Sequence, residues 1–416
     1  MTEPATPRTQ SLSGAASGES FTLAIDAMGG DHAPEIVVEG LDISAERHPG
    51  ARFLLVGDEA RLAPLLARHK RAAACCVVRH TPDAITGDLK PTSALRMRRA
   101  SMRLAIDAVA NGEAQGVVSA GNSGALLALA KIVIKTMAGI DRPAMAAIAP
   151  SVRGDVVMLD LGANVSCDVR NLVEFAVMGD VFARTVLGLV APTLGLLNVG
   201  SEELKGDDTI RAAADILRES HIGPQFRGFV EGHDIAAGTT DVIVTDGFTG
   251  NVALKTTEGT AKLILQLLRQ AFTASFTAKL GYLLARSELE RLRELVDPRR
   301  YNGAVMVGLN GVVVKSHGGT DGPGFSHAVD VAMDMVVNHF NDRIREGLGR
   351  ISAQLPANSR NGQGHPAAPA TPDDSSPDDS SPDDSSRGDT NGTDPESEPS
   401  HGASGGQGDP SVAAPH

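Results

Sequence analysis

The sequence predicts an α/β protein built on a mostly parallel sheet that helices cover on both faces. Its apolar segments are short, and apolar and polar residues do not alternate within them, as is typical of strands buried on both sides. Helix-like segments separate these strands along the chain, which favours parallel pairing. Six strands run into glycine-rich loops that also carry Asp, Asn, Ser, Lys or His. Because ligands in such sheets bind beyond the carboxyl ends of the strands, the pattern predicts a binding site there.

In the first half of the chain, the strand assignments follow short apolar runs. They cover residues 21–25, 53–56, 75–78, 116–119, 145–149 and 156–159. The stretches between several of these runs read as helices, the last of them rich in Ala and Leu. The first of these helices begins at Glu35, and the others cover residues 59–68, 90–111 and 120–137.

In the second half, three apolar runs end in loops that carry polar side chains beside glycine. The strands cover residues 194–199, 242–244 and 312–314, and their loops cover 200–206, 245–251 and 315–321. One helix is expected from Val252 onward, and the last helix runs to about Gly349.

The length of 416 residues overstates the folded part of the chain. Residues 1–20 are rich in Ser, Thr, Ala, Gly and Pro, and residues 351–416 contain three repeats of Pro-Asp-Asp-Ser-Ser. Neither segment can bury enough apolar surface to offset its chain entropy, so both are predicted to be disordered. Residues 21–350 remain, enough for one large α/β domain or two smaller ones.

Charge is distributed unevenly along the chain. Beyond Ile351, eleven acidic residues stand against two arginines, a net charge of −9, which leaves −4 of the total of −13 for the rest. The acidic tail argues against nucleic acid as a partner, because nucleic acid is bound through cationic side chains.

The chain has three cysteines, Cys75, Cys76 and Cys167, and no two of them form a CxxC motif. This indicates a reducing cytoplasm, with no disulfide framework and no thiolate zinc site. We expect no metal and no other cofactor. Residues 1–20 lack the apolar core of a signal peptide, and no apolar run approaches the roughly 20 residues that span a bilayer.

The first polar loop, residues 26–34, is the clearest candidate for a ligand site. Gly29 and Gly30 can adopt positive φ and let a ligand approach the backbone, and a helix begins at Glu35. Free amides beside a helix N-terminus bind anions. Asp26, Asp31 and His32 crowd the same strand end; the alternative is a plain turn with a solvated Asp-His pair.

Several standard motifs are missing from these loops. No G-x-G-x-x-G follows the first strand, and no P-loop lysine motif occurs anywhere in the chain. The sequence around Ser123 stops short of G-x-S-x-G, which makes that serine a poor nucleophile candidate. A phosphate-type anion, held by backbone amides and a lysine, therefore fits better than a nucleotide.

Residues 261–297 have the pattern of an amphipathic helical hairpin. Residues 261–287 include four basic residues and no acidic one, and their apolar residues recur at helical spacing. Such a surface suits contact with an anionic membrane or an acidic protein. The alternative is a helix pair that packs on the core or at a dimer interface. The residues expected to touch a membrane are Leu268, Phe272, Phe276, Lys279 and Leu280.

Taken together, the loops closely resemble the bacterial phosphate acyltransferases of the PlsX family. The matching stretches run in order from Phe21 to Gly349 and comprise residues 25–34, 119–125, 139–144, 161–164, 195–206, 244–251 and 315–318. The first of these and the stretch 245–251 are the most specific. Two positions depart from the family pattern, at Asn302 and in residues 319–321, and the long acidic tail is not a family feature.

The resemblance implies a homodimeric three-layer α/β/α enzyme, related in fold to isopropylmalate dehydrogenases and phosphotransacetylases, with a protruding helical hairpin. It implies that acyl-acyl-carrier-protein and inorganic phosphate react to give acyl phosphate and free carrier protein. The product would feed a glycerol 3-phosphate acyltransferase in the membrane, the first step of phospholipid synthesis. The enzyme would be cytoplasmic and peripherally bound to an anionic membrane through the hairpin.

Elementary chemistry then suggests roles for the loop residues. Phosphate is already nucleophilic near pH 7, and the leaving thiol has a pKa near 8.5, so a site need only hold the reactants and stabilise the oxyanion. We assign phosphate to the Gly29–Gly30 backbone with Lys205 and Lys315, and hydrogen-bond or proton donation to His32 or His317. The orienting and binding residues are Asp26, Asp31, Asn122, Ser123, Asn164, Asp246 and Asn251.

Four of these assignments have a structural alternative. Asp26 and Asp246 could be helix caps, Lys315 a surface lysine, and Lys205 a neighbour that only neutralises nearby glutamates. Two other classes of function also remain open. The chain could be a phosphotransacetylase-like enzyme that uses acyl-coenzyme A, or a regulator that binds acyl groups or phosphate without catalysis.

Overall fold

A computed structural model of the chain describes residues 21–295, 297 and 299–351. The two predicted terminal segments, 1–20 and 351–416, lie outside the described residues except for Ile351. That residue ends the last described helix and is fully buried.

The strands are short, and the central residues of most of them are buried, as expected from non-alternating apolar runs, whereas residues 76–80, an edge strand, include no buried residue. They are β1 (Thr22–Asp26), β2 (Arg52–Gly57), β3 (Cys76–His80), β4 (Gly116–Ser119), β5 (Ala144–Ser151), β6 (Gly154–Leu159), β7 (Leu194–Leu197), β8 (Phe226–Val230), β9 (Val242–Val244), β10 (Ala304–Val307) and β11 (Val312–Lys315). The sequence analysis assigned no strand to β8 or β10.

The helices occupy most of the remaining described chain. They are α1 (Glu35–Arg47), α2 (Glu59–Arg68), α3 (Lys70–Cys75), α4 (Pro91–Ala94), α5 (Ser101–Ala110), α6 (Ser123–Val133), α7 (Val169–Val186), α8 (Asp208–Glu219), α9 (Gly232–Ala237), α10 (Gly247–Thr273), α11 (Phe276–Leu295), α12 (Gly322–Val337) and α13 (Phe340–Ile351).

The described strands form one sheet in the order β3-β2-β1-β4-β11-β10-β5-β6-β9-β7-β8. Neighbouring strands are parallel except around β10 and β5, where β10 is antiparallel to β11 and β5, and β5 is antiparallel to β6. The prediction of a mostly parallel sheet is therefore confirmed. The antiparallel steps also reverse the sheet: β3, β2, β1, β4 and β11 point one way, and β6, β9, β7 and β8 point the other.

This reversal decides where the polar loops lie. The loops after β1, β4 and β11 lie at one edge of the sheet, and those after β6, β9 and β7 lie at the opposite edge. The sequence analysis, which found no strand at β10, placed all of these loops at one site. Within one chain, the structure instead forms two separate groups of loops.

Helices cover both faces of the sheet, which gives the three layers α/β/α. One layer contains α1, α2, α3, α7, α8, α12 and α13, and packs on the larger apolar core. The other contains α4, α5, α6, α9 and α10, and packs on two smaller cores. Helix α7 is the most deeply buried, and Asp168 caps it by accepting a hydrogen bond from the Asn171 amide.

Four helix boundaries differ from the sequence prediction. The expected helix 90–111 is two helices, since Ala100 is extended and caps α5. Helix α6 ends at Val133, shortly before Lys135 takes a positive φ of 66°. Helix α10 begins at Gly247 rather than Val252, because Asp246 caps it. His339, with φ of 52°, separates α12 from α13.

Helices α10 and α11 follow one another with a two-residue break, at the place where the sequence predicts a helical hairpin. They leave many large apolar side chains exposed, among them Phe276 at 83% and Leu284 at 80%. Phe272 packs instead on Tyr282 of the other helix, with ring centroids 5.8 Å apart. Phe272 of the predicted contact surface therefore faces the neighbouring helix, and Leu268 is half-buried.

Candidate functional site

Three parallel strands bring an acid, a hydroxyl and a lysine to adjacent positions at one edge of the sheet. Ser119 at the end of β4 pairs in register with Asp26 of β1 on one side and with Lys315 of β11 on the other. The loops that follow these strands form the walls of the first cleft.

Asp26 is buried directly behind these loops. Its carboxylate accepts hydrogen bonds from the hydroxyls of Ser101, at 2.6 Å, and Ser119, at 2.7 Å. The Ser119 Oγ in turn accepts the amide of Gly121 at 3.0 Å. Burial raises the pKa of Asp26, and the two serine hydroxyls oppose that rise. Asp26 is thus a scaffold for the loops, whereas the sequence analysis expected it to bind substrate.

Gly29 and Gly30 lie directly above this scaffold. A Cβ atom at Gly29 would be 2.5 Å from Asp26 Oδ2 and 2.7 Å from the Gly121 amide nitrogen, so only glycine fits. Gly30 adopts a φ of +110°. Within the described residues, the amides of both glycines donate to no protein acceptor, so they can serve a ligand. The next residue, Asp31, donates its amide to the Gly318 carbonyl at 2.9 Å and links the loops after β1 and β11.

The N-terminus of α6 lies in the same cleft. Asn122 caps the helix by accepting the Ala125 amide at 3.0 Å, while its Nδ2 donates to the carbonyls of Gly87 and Leu89. Ser123 is the exposed first residue of the helix. The first amides of a helix have no partners within it and carry a partial positive charge. The structure therefore adds an anion-binding helix end to the two free glycine amides.

Lys315 supplies a charge behind these loops. Its Nζ donates to the Ala120 carbonyl at 3.2 Å and also to the Ser316 carbonyl. Burial lowers the pKa of Lys315 to about 8, against the opposing attraction of Asp26 and Asp31. A lysine with this pKa is still mostly charged at pH 7, and its side chain is half-buried among the cleft loops.

His317 follows two residues later and is held in a defined orientation. Its amide donates to Asn302 Oδ1 at 2.7 Å, and its Nδ1 accepts the Gly319 amide at 3.2 Å. Burial lowers the pKa of His317, and Lys315 and Lys255 lower it further. The lowered pKa favours the neutral ring, which carries its proton on Nε2 because Nδ1 accepts a hydrogen bond.

The first cleft has a volume of about 480 Å³. It is lined by Met28, Gly30, Asp31, Ala84, Ile85, Thr86, Gly87, Ala120, Gly121, Asn122, Ser123, Gly124 and Gly318. Its walls thus contain most of the predicted binding residues near β1 and β4, together with residues 84–87, which the sequence analysis did not single out. Among the described residues, no group of His, Cys, Asp and Glu could hold a metal ion.

The second group of loops forms another cleft at the opposite edge, of about 390 Å³. Asp246 caps α10 through the amide and hydroxyl of Thr249, at 2.9 and 2.8 Å. The Nδ2 of Asn164 donates to the buried Asp160 and to the Pro143 carbonyl, so that side chain is part of the scaffold. Asn251 lies on α10 beside Gly162. These contacts favour the helix-cap alternative for Asp246 and give Asn164 a structural role.

Two further predicted site residues are exposed on loops. His32 lies on the loop between β1 and α1, next to Asp31 of the cleft wall. Lys205 is exposed after β7, and six strands separate β7 from β1 in the sheet. With strands about 4.8 Å apart, this separation is on the order of 30 Å. The structure therefore does not bring Lys205 to the glycine loop within one chain.

The sequence analysis missed Ser101, Ser119 and Asp160 as organising residues. Ser119 belongs to a motif that was recognised, and its position at a strand end is a usable signal. Ser101 was hidden inside the expected helix 90–111, and only the long-range contact with Asp26 reveals its role.

The fold defines an α/β protein of the phosphotransacetylase-like fold class, and its first cleft presents free backbone amides at the sheet edge. Two solved structures share this fold. They are EutD phosphotransacetylase from Staphylococcus aureus, with a TM-score of 0.51, and a phosphotransacetylase from Streptococcus pyogenes, with a TM-score of 0.52. Each is 16% identical in sequence, and each alignment covers 77% of this chain and 95% of the other.

The chain belongs to the phosphate acyltransferase family and is an acyltransferase of fatty acid and phospholipid synthesis, as the resemblance implied. A family model described as "Fatty acid synthesis protein" matches residues 21–343. The chain is 72% identical over 348 residues to a phosphate acyltransferase of Granulibacter bethesdensis, covering 83% of this chain and 95% of that protein. It is 68% identical over 360 residues to one of Gluconacetobacter diazotrophicus, covering 86% and 96%.

Proposed function

We propose that this acyltransferase forms acyl phosphate from a long-chain acyl-acyl-carrier-protein and inorganic phosphate, and that the first cleft is its reaction site. The observation that carries the proposal is that two free glycine amides and a helix N-terminus come together at one cleft, with the Lys315 ammonium directly behind its loops. Backbone amides and a helix end are a recurrent way to bind a phosphate-sized anion.

The reaction needs positioning more than activation. A phosphate oxygen attacks the thioester carbonyl carbon, the C–S bond breaks, and the carrier leaves as a thiolate that takes a proton from solvent. Since a thiol has a pKa near 8.5, this departure needs no strong acid. What the cleft supplies is the placement of phosphate about 3–3.5 Å from the carbonyl carbon and donors for the oxyanion.

His317 suits the role of an oxyanion donor. Its neutral ring, with the proton on Nε2, can donate one hydrogen bond without carrying a charge. A neutral imidazole is a weak acid, so we assign it stabilisation of the oxyanion rather than protonation of the leaving sulfur. The amides of Gly29 and Gly30 and the charge of Lys315 hold the phosphate.

The acyl donor decides between the proposal and its main alternative. We expect phosphate-dependent turnover of palmitoyl-carrier-protein with a higher kcat/KM than that of palmitoyl-coenzyme A. Preference for the coenzyme A thioester would favour a phosphotransacetylase-like activity. Binding of acyl groups or phosphate without turnover of either donor would favour a regulator.

We further propose that the enzyme is cytoplasmic, that it binds peripherally to an anionic membrane through α10 and α11, and that it delivers acyl phosphate to a membrane glycerol 3-phosphate acyltransferase. The support is the set of exposed apolar side chains on these helices. No helix of the described residues is long and apolar enough to cross a membrane. Peripheral contact, tested below, would bring the product to the bilayer.

A homodimer is also proposed, on the strength of exposed apolar side chains around the second cleft. Val165, Leu204 and Phe248 are 76%, 89% and 64% exposed there, and a second copy would cover them. Light scattering should give the mass of a dimer, and Leu204→Ser with Phe248→Ser should shift it toward the monomer. A monomeric wild-type protein would contradict this proposal.

A further inference from the structure

One strongly charged surface has no role in the proposed chemistry: residues 90–99, hereafter the basic segment. It carries Lys90, Arg96, Arg98 and Arg99, all exposed, and no acidic residue occurs from residue 89 to 106. None of these four side chains forms an ion pair with another described residue. Asp83 and Asp88 precede the segment, and neither pairs with it. In the described part of the chain, this charge is therefore available to a partner.

The basic segment is attached to the mouth of the first cleft. The Asn122 Nδ2 donates to the carbonyls of Gly87 and Leu89, at 2.8 and 3.0 Å, just before the segment begins. Pro91 lies against Gly124, where an added Cβ would be 3.0 Å from its ring. Residues 84–87 line the cleft itself. A partner bound to the basic segment would thus sit next to the cleft that is proposed to hold phosphate.

The segment offers charge without an apolar surface. Its alanine, Ala94, is fully buried, and Leu95 and Met97 pack partly against the same core. The exposed large apolar side chains lie elsewhere, notably on α10 and α11. A membrane-binding surface combines basic residues with apolar anchors, whereas docking of an acidic protein needs only a complementary charged patch. The basic segment fits the second description.

We propose that the basic segment is the docking surface for an acidic face of the acyl carrier protein, and that it directs the attached thioester into the first cleft. This inference rests on the proposed function, because it names the surface that the proposed donor uses. Without its acidic tail the chain carries a net charge of −4, so most of its remaining surface repels an acidic partner. This repulsion makes binding at the basic segment more selective.

The test replaces three arginines at once, in Arg96→Ala/Arg98→Ala/Arg99→Ala. Its matched control removes the same charge at exposed sites remote from the cleft, in Arg68→Ala/Arg227→Ala/Arg343→Ala. Both variants and the wild type are titrated with fluorescently labelled carrier protein, and the dissociation constant is read by anisotropy. Loss of three charged contacts should weaken binding roughly tenfold or more in the test variant, and should flatten its salt dependence.

Turnover separates this proposal from the proposed function. The KM for acyl-carrier-protein should rise with the dissociation constant, while kcat and the KM for phosphate stay near wild type. Unchanged carrier-protein affinity in the test variant, equal losses in both variants, or no binding by the wild type would overturn the docking surface. Wild-type binding without turnover would instead refute the proposed reaction and leave the docking surface standing. If the test variant lost binding to anionic vesicles but kept its affinity for the carrier protein, the basic segment would be a membrane contact and the proposal would be overturned.

Discussion

The hydroxyl of Ser101 donates a 2.6 Å hydrogen bond to the buried carboxylate of Asp26, across 75 positions of sequence. Through Ser119, which also bonds that carboxylate, the contact extends to the Gly121 amide. One buried acid thus fixes the start of α5, the end of β4 and the loop above β1. The cleft geometry depends on this contact although Ser101 does not line the cleft.

Replacing Ser101 with alanine should therefore damage both stability and phosphate binding. The change leaves a buried carboxylate with one hydrogen bond fewer, which typically costs about 1–3 kcal/mol of unfolding free energy. We expect this loss in denaturant unfolding, together with a raised KM for phosphate. Ser326→Ala is the control: its hydroxyl bonds the Pro323 carbonyl within α12, so it should lose stability alone. Equal phosphate KM values in the two variants would refute the link.

Gly29→Ala should disable the glycine loop. The new Cβ would meet Asp26 Oδ2 at 2.5 Å and the Gly121 nitrogen at 2.7 Å, so the loop must move away from the phosphate position. A displacement of this kind costs on the order of a hundredfold in kcat/KM. Gly87→Ala, at a position of the same cleft with no atom within 4 Å, should behave like wild type in the same assay. If both variants keep full activity, the loop does not hold the phosphate.

Lys315 should give the reaction a dependence on pH. Its pKa is lowered to about 8, so the ammonium of the free enzyme is lost as the pH rises through that value. The kcat/KM for phosphate should then fall above about pH 8, since that ratio reports groups of the free enzyme. Lys315→Arg keeps its charge throughout and should lack this fall, even with a lower rate. An identical decline in the arginine variant would assign the titration to another group.

Two substitutions of Asp246 separate its role as a helix cap from a role in catalysis. It caps α10 through Thr249, and asparagine is an equally good cap without a charge. We expect Asp246→Asn to retain most stability and activity, and Asp246→Ala to lose about 0.5–2 kcal/mol of unfolding free energy. Kinetics and thermal unfolding of both variants decide the matter. Unchanged stability together with a strongly reduced kcat in Asp246→Asn would show that the negative charge acts in catalysis.

The exposed side chains of α10 and α11 should determine membrane binding. Replacing Phe276, Leu283 and Leu284, which are 83%, 63% and 80% exposed, with serine should abolish flotation with anionic vesicles. The half-buried Phe272, replaced with leucine, serves as the control. Light scattering on the same samples is needed, because a variant that turns monomeric would reveal a dimer interface in place of a membrane contact.

Local patterns were sufficient to predict much of the fold. The bounds of α2 and β9, and the position of the glycine loop after β1, follow from short stretches of sequence alone. The reversal of the sheet was not predictable in this way. It depends on the antiparallel pairing of β10 with its neighbour β11 and with β5, and β5 lies far from β10 in the chain.

The predicted site residues show the same difference between local sequence patterns and long-range pairing. Gly29, Gly30, Asn122 and Lys315 are predicted from their loops, and the structure places them in the walls of the first cleft or directly behind them. Lys205 was assigned to the same phosphate because its loop looks similar, yet strand direction and order place it at the opposite edge. Sequence can identify the type of a loop, but only tertiary pairing decides which loops share a ligand.

The most direct test of the central claim is the transfer of radiolabelled inorganic phosphate into acyl phosphate. Purified enzyme is incubated with palmitoyl-carrier-protein and labelled phosphate, and the organic-extractable label is measured beside stoichiometric release of the carrier thiol. We predict label that requires both substrates and falls on the order of a hundredfold in Gly29→Ala. Thiol release without extractable label, or label that is unchanged in Gly29→Ala, would contradict acyl transfer to phosphate in the first cleft.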